Sequence, residues 1–121
     1  PRVVVMERQN IRTLAPDALP ERPTFFTADC SFISLAKVLP PLAALLAKQA
    51  EGVVLIKPQF EAGPEHVGKG GVVRDAAVHE AVIASVREAA ASLGIETLGV
   101  CPSPLLGPAG NREFLAYLAR G

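Results

Sequence analysis

Two charged residues, Asp29 and Lys57, each stand directly after a run of residues that is typical of a buried strand. In open parallel α/β sheets, ligands bind outside the carboxyl ends of the strands. An acid and a lysine from neighbouring strand ends would share one crevice there, where they could orient a reacting group or exchange a proton with it. A structural ion pair, or two hydrated strand ends, is the alternative, because charges at strand ends are common.

Strand candidates that would position these charges recur along the chain. The β-branched run from Arg2 to Glu7 predicts a fully buried strand, and the segment from Arg112 to Ala119 is a further candidate. The other strand candidates are Pro23 to Asp29, Gly52 to Pro58 and Glu96 to Ser103.

Two helical patterns lie between the strand candidates. The first covers Ser34 to Lys48, with Ser34 as its N-cap, and would tolerate Pro40 and Pro41 only in a first turn or at a kink. The second covers Asp75 to Leu93, with Asp75 as its N-cap and Gly94 as its stop. Because strands alternate with helices, the sequence predicts an α/β fold with a mainly parallel sheet and helices on both faces.

The composition predicts one domain and restricts the partners. The chain has 121 residues, half of them apolar, which suffices for one modest core. Twelve Lys and Arg balance twelve Asp and Glu, so any affinity for nucleic acid must be local. The apolar stretch 32–50 is interrupted by Lys37 and by Pro40 and Pro41, which leaves too few residues for a membrane-spanning helix. We therefore expect no membrane partner.

The cysteines and histidines do not form a reactive pattern. Cys30 and Cys101 show neither C-x-x-C spacing nor a dense disulfide pattern, which predicts a reducing, cytoplasmic location. Small buried hydrophobes are the preferred interpretation of both cysteines, over a nucleophilic role. His66 and His79 lack ligands at metal-binding spacing, so no metal site is predicted, and for His79, which falls inside the second helix, we expect exposure or a local hydrogen bond.

Three segments carry a resemblance to a known family, and they are "DCSFISLAKVLPPL" (29–42), "LIKPQFEAGPEHVGKGGVVRD" (55–75) and "SPLLGPAGNREFL" (103–115). In order and spacing they resemble the TlyA or haemolysin A family of FtsJ-like ribosomal RNA methyltransferases. The resemblance implies a Rossmann-like, S-adenosyl-L-methionine-dependent methyltransferase fold, with residues 1–121 as the C-terminal portion of a single domain. It also implies methyl transfer to a ribose 2′-hydroxyl of ribosomal RNA, on cytidine, with ribosomal RNA or a ribosomal subunit as the partner.

The resemblance implies a catalytic set of Lys-Asp-Lys-Glu. Matched motif by motif, the set falls on Asp29, on Lys57 of "KPQFE" and on Glu113 of "GNREF", while its first lysine has no counterpart in this chain. A ribose hydroxyl is a poor nucleophile, so its attack on a sulfonium methyl group needs a base or an orienting acceptor and an in-line arrangement. We expect Lys57 to contact the attacking oxygen, with Asp29 and Glu113 orienting the two lysines.

Further residues are expected to bind the cofactor and the RNA. Asn10 and Arg12 follow the first strand candidate, where such folds meet the adenine of S-adenosyl-L-methionine, and Asp29 is a third cofactor contact. Lys69 and Arg74 flank the glycines of "VGKGGVV", whose spacing is not that of a Walker motif. We interpret this segment as a mobile loop over RNA phosphate, although a plain surface loop is the alternative. The RNA-binding candidates are therefore Lys69, Arg74 and Arg112.

Other expectations concern what the chain lacks. Family members carry an N-terminal RNA-binding domain and a glycine-rich cofactor loop, and neither pattern is present, so we expect a fragment that is inactive alone and self-associates through exposed sheet edges. Phe32 and Phe60 are expected in the core rather than as base-stacking platforms. The D/N-P-P-Y/F pattern of exocyclic amino methylation is absent after Asp29. A non-catalytic RNA-binding protein or a haemolysin-like, membrane-active protein is the alternative function.

Overall fold

In the computed structural model, which describes residues 2–121, four strands form one sheet against which helices pack. The strands are β1 (Phe25–Ala28), β2 (Glu51–Ile56), β3 (Ile95–Pro102) and β4 (Phe114–Arg120). The helices are α1 (Leu35–Leu45), the short α2 (Pro58–Glu61) and α3 (Ala76–Ala91), with 3-10 turns at Pro64–His66 and Pro108–Gly110. Both predicted long helices and the last four strand candidates are therefore confirmed.

The sheet is mixed, with the strand order β1-β2-β4-β3. Strands β1 and β2 are parallel, whereas β4 pairs antiparallel with both β2 and β3. The prediction of a mainly parallel sheet is wrong for the described strands. The sheet is mixed because a loop without a crossover helix connects β3 to β4, so the chain reverses direction there.

Both long helices begin with the predicted caps. Ser34 Oγ accepts a hydrogen bond from the N–H of Ala36 at 3.1 Å, and Asp75 Oδ1 accepts one from the N–H of Ala77 at 2.8 Å. These bonds satisfy N–H groups that have no partner within the first helical turn. Gly94, with φ of +74°, follows the end of α3 in a conformation that favours glycine.

The two prolines lie within α1, beyond its first turn. Pro40 and Pro41 have no N–H group to donate to the carbonyl oxygens of Ala36 and Lys37. Ala36 and Lys37 are both exposed, so water can take the place of the two lost bonds. Burial of the opposite side of the helix, which includes Leu39, then holds α1 in place.

One face of the sheet forms the core. Val54 and Ile56 of β2 and Ala116 and Leu118 of β4 are fully buried there. Both long helices contact this face and each other. Burial of this apolar area is the main stabilising contribution to the fold. The two long helices contribute Leu35, Leu39 and Ala43 of α1 and Val82, Val86 and Ala90 of α3 to this core.

The opposite face of the sheet is open among residues 2–121. Tyr117 and Leu98 on this side are 40% and 50% exposed, and Val53 and Leu115 line a shallow apolar groove beside Tyr117. The prediction of helices on both faces is wrong for the described residues, because α1 and α3 pack side by side on the same face. The expected self-association through exposed sheet edges stays a prediction.

The first strand candidate, from Arg2 to Glu7, is not a strand in the described residues 2–7. Val3, Val4 and Val5 are 72%, 66% and 70% exposed. A strand requires a hydrogen-bonded neighbour, and no described strand pairs with this run. Its β-branched composition is therefore not sufficient to make it part of the sheet. Separately, no helix within residues 2–121 has both the length and the apolarity needed to cross a membrane.

Candidate active site

The topology brings three strand ends to one rim of the sheet. Asp29 follows β1 and Lys57 follows β2, and these strands are parallel. Strand β4 runs in the opposite direction, so Glu113, which precedes it, lies at the same rim. The last residue pair of β2 and β4 joins Ile56 to Phe114, with Lys57 and Glu113 as the next residues outward.

Lys57 is held by an acid and a hydroxyl group. Its Nζ lies 2.5 Å from Asp29 Oδ1 and donates a hydrogen bond to Ser31 Oγ at 3.3 Å. The side chain of Lys57 is 13% exposed, whereas that of Asp29 is 65% exposed. The amine also lies 5.9 Å from the centre of the Phe60 ring. The Lys57 ammonium group is therefore oriented and largely shielded from solvent, whereas the outer side of the Asp29 carboxylate is open to solvent.

Glu113 lies apart from this ion pair. It is 5% exposed, and its Oε2 accepts a hydrogen bond of 2.8 Å from Gln59 Nε2. Among the described residues, no Lys, Arg or His nitrogen lies within the 4.0 Å of Glu113 that defines an ion pair. The structure therefore joins Asp29 to Lys57 directly and places Glu113 at the same rim, where it contacts Gln59 and not the ion pair.

Asn111 ties two loops of the rim together. Its Oδ1 accepts from the N–H of Val73 at 2.9 Å, and its Nδ2 donates to the carbonyl oxygens of Gly71 and Pro108 at 2.9 and 3.0 Å. Asn111 is 1% exposed, and these bonds occupy both ends of its amide. Asn111 was not predicted as a site residue, because its place in the "GNREF" motif is the only signal for it in the sequence.

The two cofactor candidates near the N-terminus lie in an exposed turn. Asn10 Oδ1 accepts from the N–H of Arg12 at 3.0 Å, and the carbonyl oxygen of Asn10 accepts from Thr13 Oγ1 at 3.1 Å. Within residues 2–121, no side-chain hydrogen bond joins either residue to Asp29. Their contact with a cofactor stays a prediction.

Two of the three RNA candidates share a groove. Arg74 and Arg112 line a groove of about 420 Å³ together with His79, and both arginines are exposed. His79 Nε2 donates to the carbonyl oxygen of Val73 at 2.8 Å, which confirms the local hydrogen bond expected for this residue. Lys69 is exposed in the glycine-rich loop and does not line this groove.

Phe32 is not a core residue, so the expectation for it is wrong. It is 89% exposed, with φ of +62°, and its ring centre lies 4.8 Å from that of the half-buried Phe60. The residues that follow Phe32 begin α1 through Ser34, and the left-handed turn directs the phenyl ring outward. The exposed Phe32 ring and the half-buried Phe60 ring therefore form an aromatic pair, of which Phe60 lies beside the Lys57 amine.

The cysteines differ in their surroundings. Burial raises the pKa of the Cys30 thiol, and the carboxylate of Asp29 raises it further, against an opposite effect of the Lys57 ammonium. Cys30 is therefore a protonated, weak nucleophile near neutral pH. Cys101 is exposed, so the expectation of a small buried hydrophobe is wrong for it, because it points to the open face of the sheet.

Glu61 fixes the short helix α2 to the start of α1. Its Oε1 accepts from Ser34 Oγ at 2.7 Å and its Oε2 accepts from the N–H of Leu35 at 2.8 Å. Burial raises the pKa of Glu61 above its ordinary value, although these two hydrogen bonds act in the opposite direction. A carboxylate at a helix N-terminus also interacts favourably with the helix dipole.

The raised pKa of Glu61 predicts how its stabilising effect changes with pH. An acid with a raised pKa in the folded state stabilises that state fully below its unfolded value, here 4.5, and the effect is lost as the pH rises through the folded pKa. The free energy of unfolding of the wild type, less that of Glu61→Gln, should therefore fall as the pH rises above 4.5 towards neutral. Urea unfolding at several pH values measures this, with Glu88→Gln on α3 as the control for net charge. A difference that rises over this range would contradict the prediction.

Residues 1–120 match the family model of the FtsJ-like methyltransferases. The chain belongs to this family. It is 48% identical over 118 residues to the 16S/23S rRNA (cytidine-2′-O)-methyltransferase TlyA of Mycobacterium tuberculosis, covering 98% of this chain and 44% of that protein. It is 34% identical to Hemolysin A of Brachyspira hyodysenteriae, covering 96% of this chain and 49% of that protein. The chain thus spans less than half the length of these relatives.

A solved structure supports the same relationship. A candidate hemolysin from Lactococcus lactis superposes with a TM-score of 0.94 at 48% identity, covering 99% of this chain and 58% of that one. At this identity the agreement concerns the family as well as the fold. The resemblance predicted from the three sequence segments is therefore confirmed.

Proposed function

We propose that the full-length protein transfers a methyl group to a ribose 2′-hydroxyl of ribosomal RNA, on cytidine, in the cytoplasm. The observation that carries this proposal is the Lys57 amine, held by Asp29 at the rim where β1 and β2 end. The 48% identity to a relative named as a cytidine-2′-O-methyltransferase supports the same reaction. We infer further that the described elements form the C-terminal portion of a single Rossmann-like methyltransferase domain, and that this portion is inactive alone.

Lys57 has the position needed to act on a hydroxyl group. Its amine has one strong partner, Asp29, and one long hydrogen bond to Ser31, so one N–H donor is left for a substrate oxygen. Asp29 orients the amine and compensates its charge, which favours a fixed direction towards the reacting oxygen. Glu113 lies on the other side of the same rim and contributes a second negative charge.

S-adenosyl-L-methionine would supply the methyl group as a sulfonium cation. The residues present fit a cationic cofactor, because the Asp29 carboxylate remains 65% exposed at the rim and can accept further hydrogen bonds. Asn10 and Arg12 are proposed to meet its adenine, although their turn makes only local hydrogen bonds. The chain's own part is to hold the hydroxyl in line and to take up or relay its proton.

The surroundings of Lys57 suit a single exposed nucleotide. The exposed ring of Phe32 lies against Phe60 beside the amine, and aromatic faces of this kind stack on unpaired bases. Arg74 and Arg112 line one groove, where two guanidinium groups would bind RNA phosphate, and Lys69 would add a contact from the neighbouring loop.

The proposal is tested by methylation of ribosomal subunits from a strain that lacks the protein. With the full-length protein and S-adenosyl-L-methionine, mass spectrometry after nuclease digestion should find 2′-O-methylcytidine. A synthetic RNA with 2′-deoxycytidine at the modified position should accept no methyl group. Methyl groups on a base, or tight binding of RNA without any transfer, would contradict the proposed function.

A further inference from the structure

Gln59 is the one side chain that donates a hydrogen bond to the carboxylate of Glu113 within residues 2–121. The bond from Gln59 Nε2 to Glu113 Oε2 is 2.8 Å long, and Glu113 is 5% exposed. Lys57 does not compensate for this carboxylate, because its amine is paired with Asp29 and Ser31. A buried carboxylate depends strongly on each donor that it retains, so the Gln59 amide is its main source of orientation.

The amide of Gln59 can take only one direction. A carboxylate accepts hydrogen bonds, so the NH₂ end of the amide must face Glu113. In this direction Gln59 Oε1 is buried and has no hydrogen-bond partner in the described chain. Reversal would place two acceptors against each other, which is less favourable still. The side chain therefore keeps its contact with Glu113 at the cost of an unsatisfied oxygen.

Gln59 is presented from a segment that is fixed at both ends. Pro58 precedes it, is fully buried, and begins α2 with a restricted φ angle. Glu61 at the other end of α2 accepts hydrogen bonds from Ser34 and from the N–H of Leu35. Between these anchors, Gln59 has little freedom to leave the carboxylate.

Gly107 confines the same carboxylate from another direction. A Cβ atom built on Gly107 would lie 2.0 Å from Glu113 Oε2, a distance that no side chain could occupy. Gly107 is itself held by the hydrogen bond of 2.7 Å from its N–H to the carbonyl oxygen of Asn111. The Glu113 carboxylate therefore lies between a backbone wall and the Gln59 amide.

We propose that Gln59 is a positioning residue, which holds the Glu113 carboxylate in the orientation that methyl transfer requires. This inference rests on the proposed function, in which the Glu113 carboxylate contributes a negative charge at the rim where the hydroxyl group reacts. Because misplacement of a catalytic group by about 1 Å can cost about 100-fold in rate, loss of the Gln59 donor affects turnover more than binding.

The test compares Gln59→Leu and Gln59→Glu in the full-length protein, with the exposed Gln49→Leu and Gln49→Glu as matched controls. Both Gln59 variants should lower kcat for methyl transfer by about 10- to 100-fold, with KM for RNA and for S-adenosyl-L-methionine changed by less than about 3-fold. Gln59→Leu is decisive, because it removes the donor without placing a second carboxyl group against Glu113. A residue that only fills space would tolerate this apolar replacement, and wild-type kcat in Gln59→Leu overturns the inference.

A second measurement separates this inference from the proposed function. The ¹³C resonance of the Glu113 carboxyl group, recorded by NMR, should move in both Gln59 variants and stay unchanged in both Gln49 variants, whether or not the protein turns over. If the wild-type protein transfers no methyl group, the proposed function is contradicted. If the wild type is active but the Glu113 resonance is the same in Gln59→Leu as in the wild type, the positioning role of Gln59 is contradicted.

Discussion

Replacement of Lys57 by alanine in the full-length protein should lower kcat for methyl transfer by about 10²- to 10⁴-fold, the range for loss of a positioned acid or base. The Lys57 amine is oriented by Asp29 Oδ1 at 2.5 Å and is the nitrogen that we propose to contact the attacking oxygen. The fold should survive, because the carboxylate left behind is 65% exposed and can be hydrated. Radiolabelled methyl transfer to ribosomal subunits measures the loss.

Two further variants sharpen this result. Lys57→Arg should also be nearly inactive, because a planar guanidinium that stays protonated cannot replace an amine as a base or a compact donor. Lys48→Ala, at an exposed position after α1, is the matched control and should keep wild-type kcat. Circular dichroism should show an unchanged fold for all three proteins. Substantial turnover by a folded Lys57→Ala protein would remove the catalytic role proposed for this residue.

Gly52→Ala should produce the largest loss of stability of any alanine substitution at a strand glycine. A Cβ at this position would lie 2.2 Å from the carbonyl oxygen of Phe26 and 2.6 Å from its ring. The two residues are paired across the parallel strands β1 and β2, so the backbone oxygen cannot move away without breaking the pairing. We expect the free energy of unfolding to fall by about 3 kcal/mol or more, at the upper end of overpacking effects. Urea denaturation followed by circular dichroism measures it.

Gly99→Ala is the matched control for this prediction. Gly99 lies in β3, and a Cβ there would meet no heavy atom within 4 Å. Removal of glycine from the unfolded chain should make this variant neutral, or more stable by about 0.4–1 kcal/mol. If Gly52→Ala were as stable as Gly99→Ala, the close approach of β1 and β2 at Phe26 would be wrong.

Local sequence patterns predicted the helices and strands well where their formation depends only on residues that are close along the chain. Ser34 and Asp75 were found as helix caps because a cap needs only one side chain and an N–H two residues further on. The Arg2–Glu7 run failed for the opposite reason, since its β-branched composition shows strand preference and no pairing partner.

The candidate site was predicted in part. Asp29 and Lys57 were placed together because both end strands that were expected to be parallel neighbours, and β1 and β2 are such neighbours. Glu113 came from the family motif, and Gln59 and Asn111 were not identified as site residues. Their hydrogen bonds join residues 54, 38 and 40 positions apart, which no local pattern reveals.

The sequence by itself determined the helices with their caps, four strands, the family, and the charged residues that end β1 and β2. These features follow from short-range periodicity and from motifs whose residues are close along the chain. The tertiary structure alone decided the antiparallel insertion of β4, the open face of the sheet, the exposure of Phe32 and the burial of Glu113 against Gln59. These depend on which strand pairs with which and in what direction, and hydrogen-bonding capacity along a strand is the same for either direction until a partner is present.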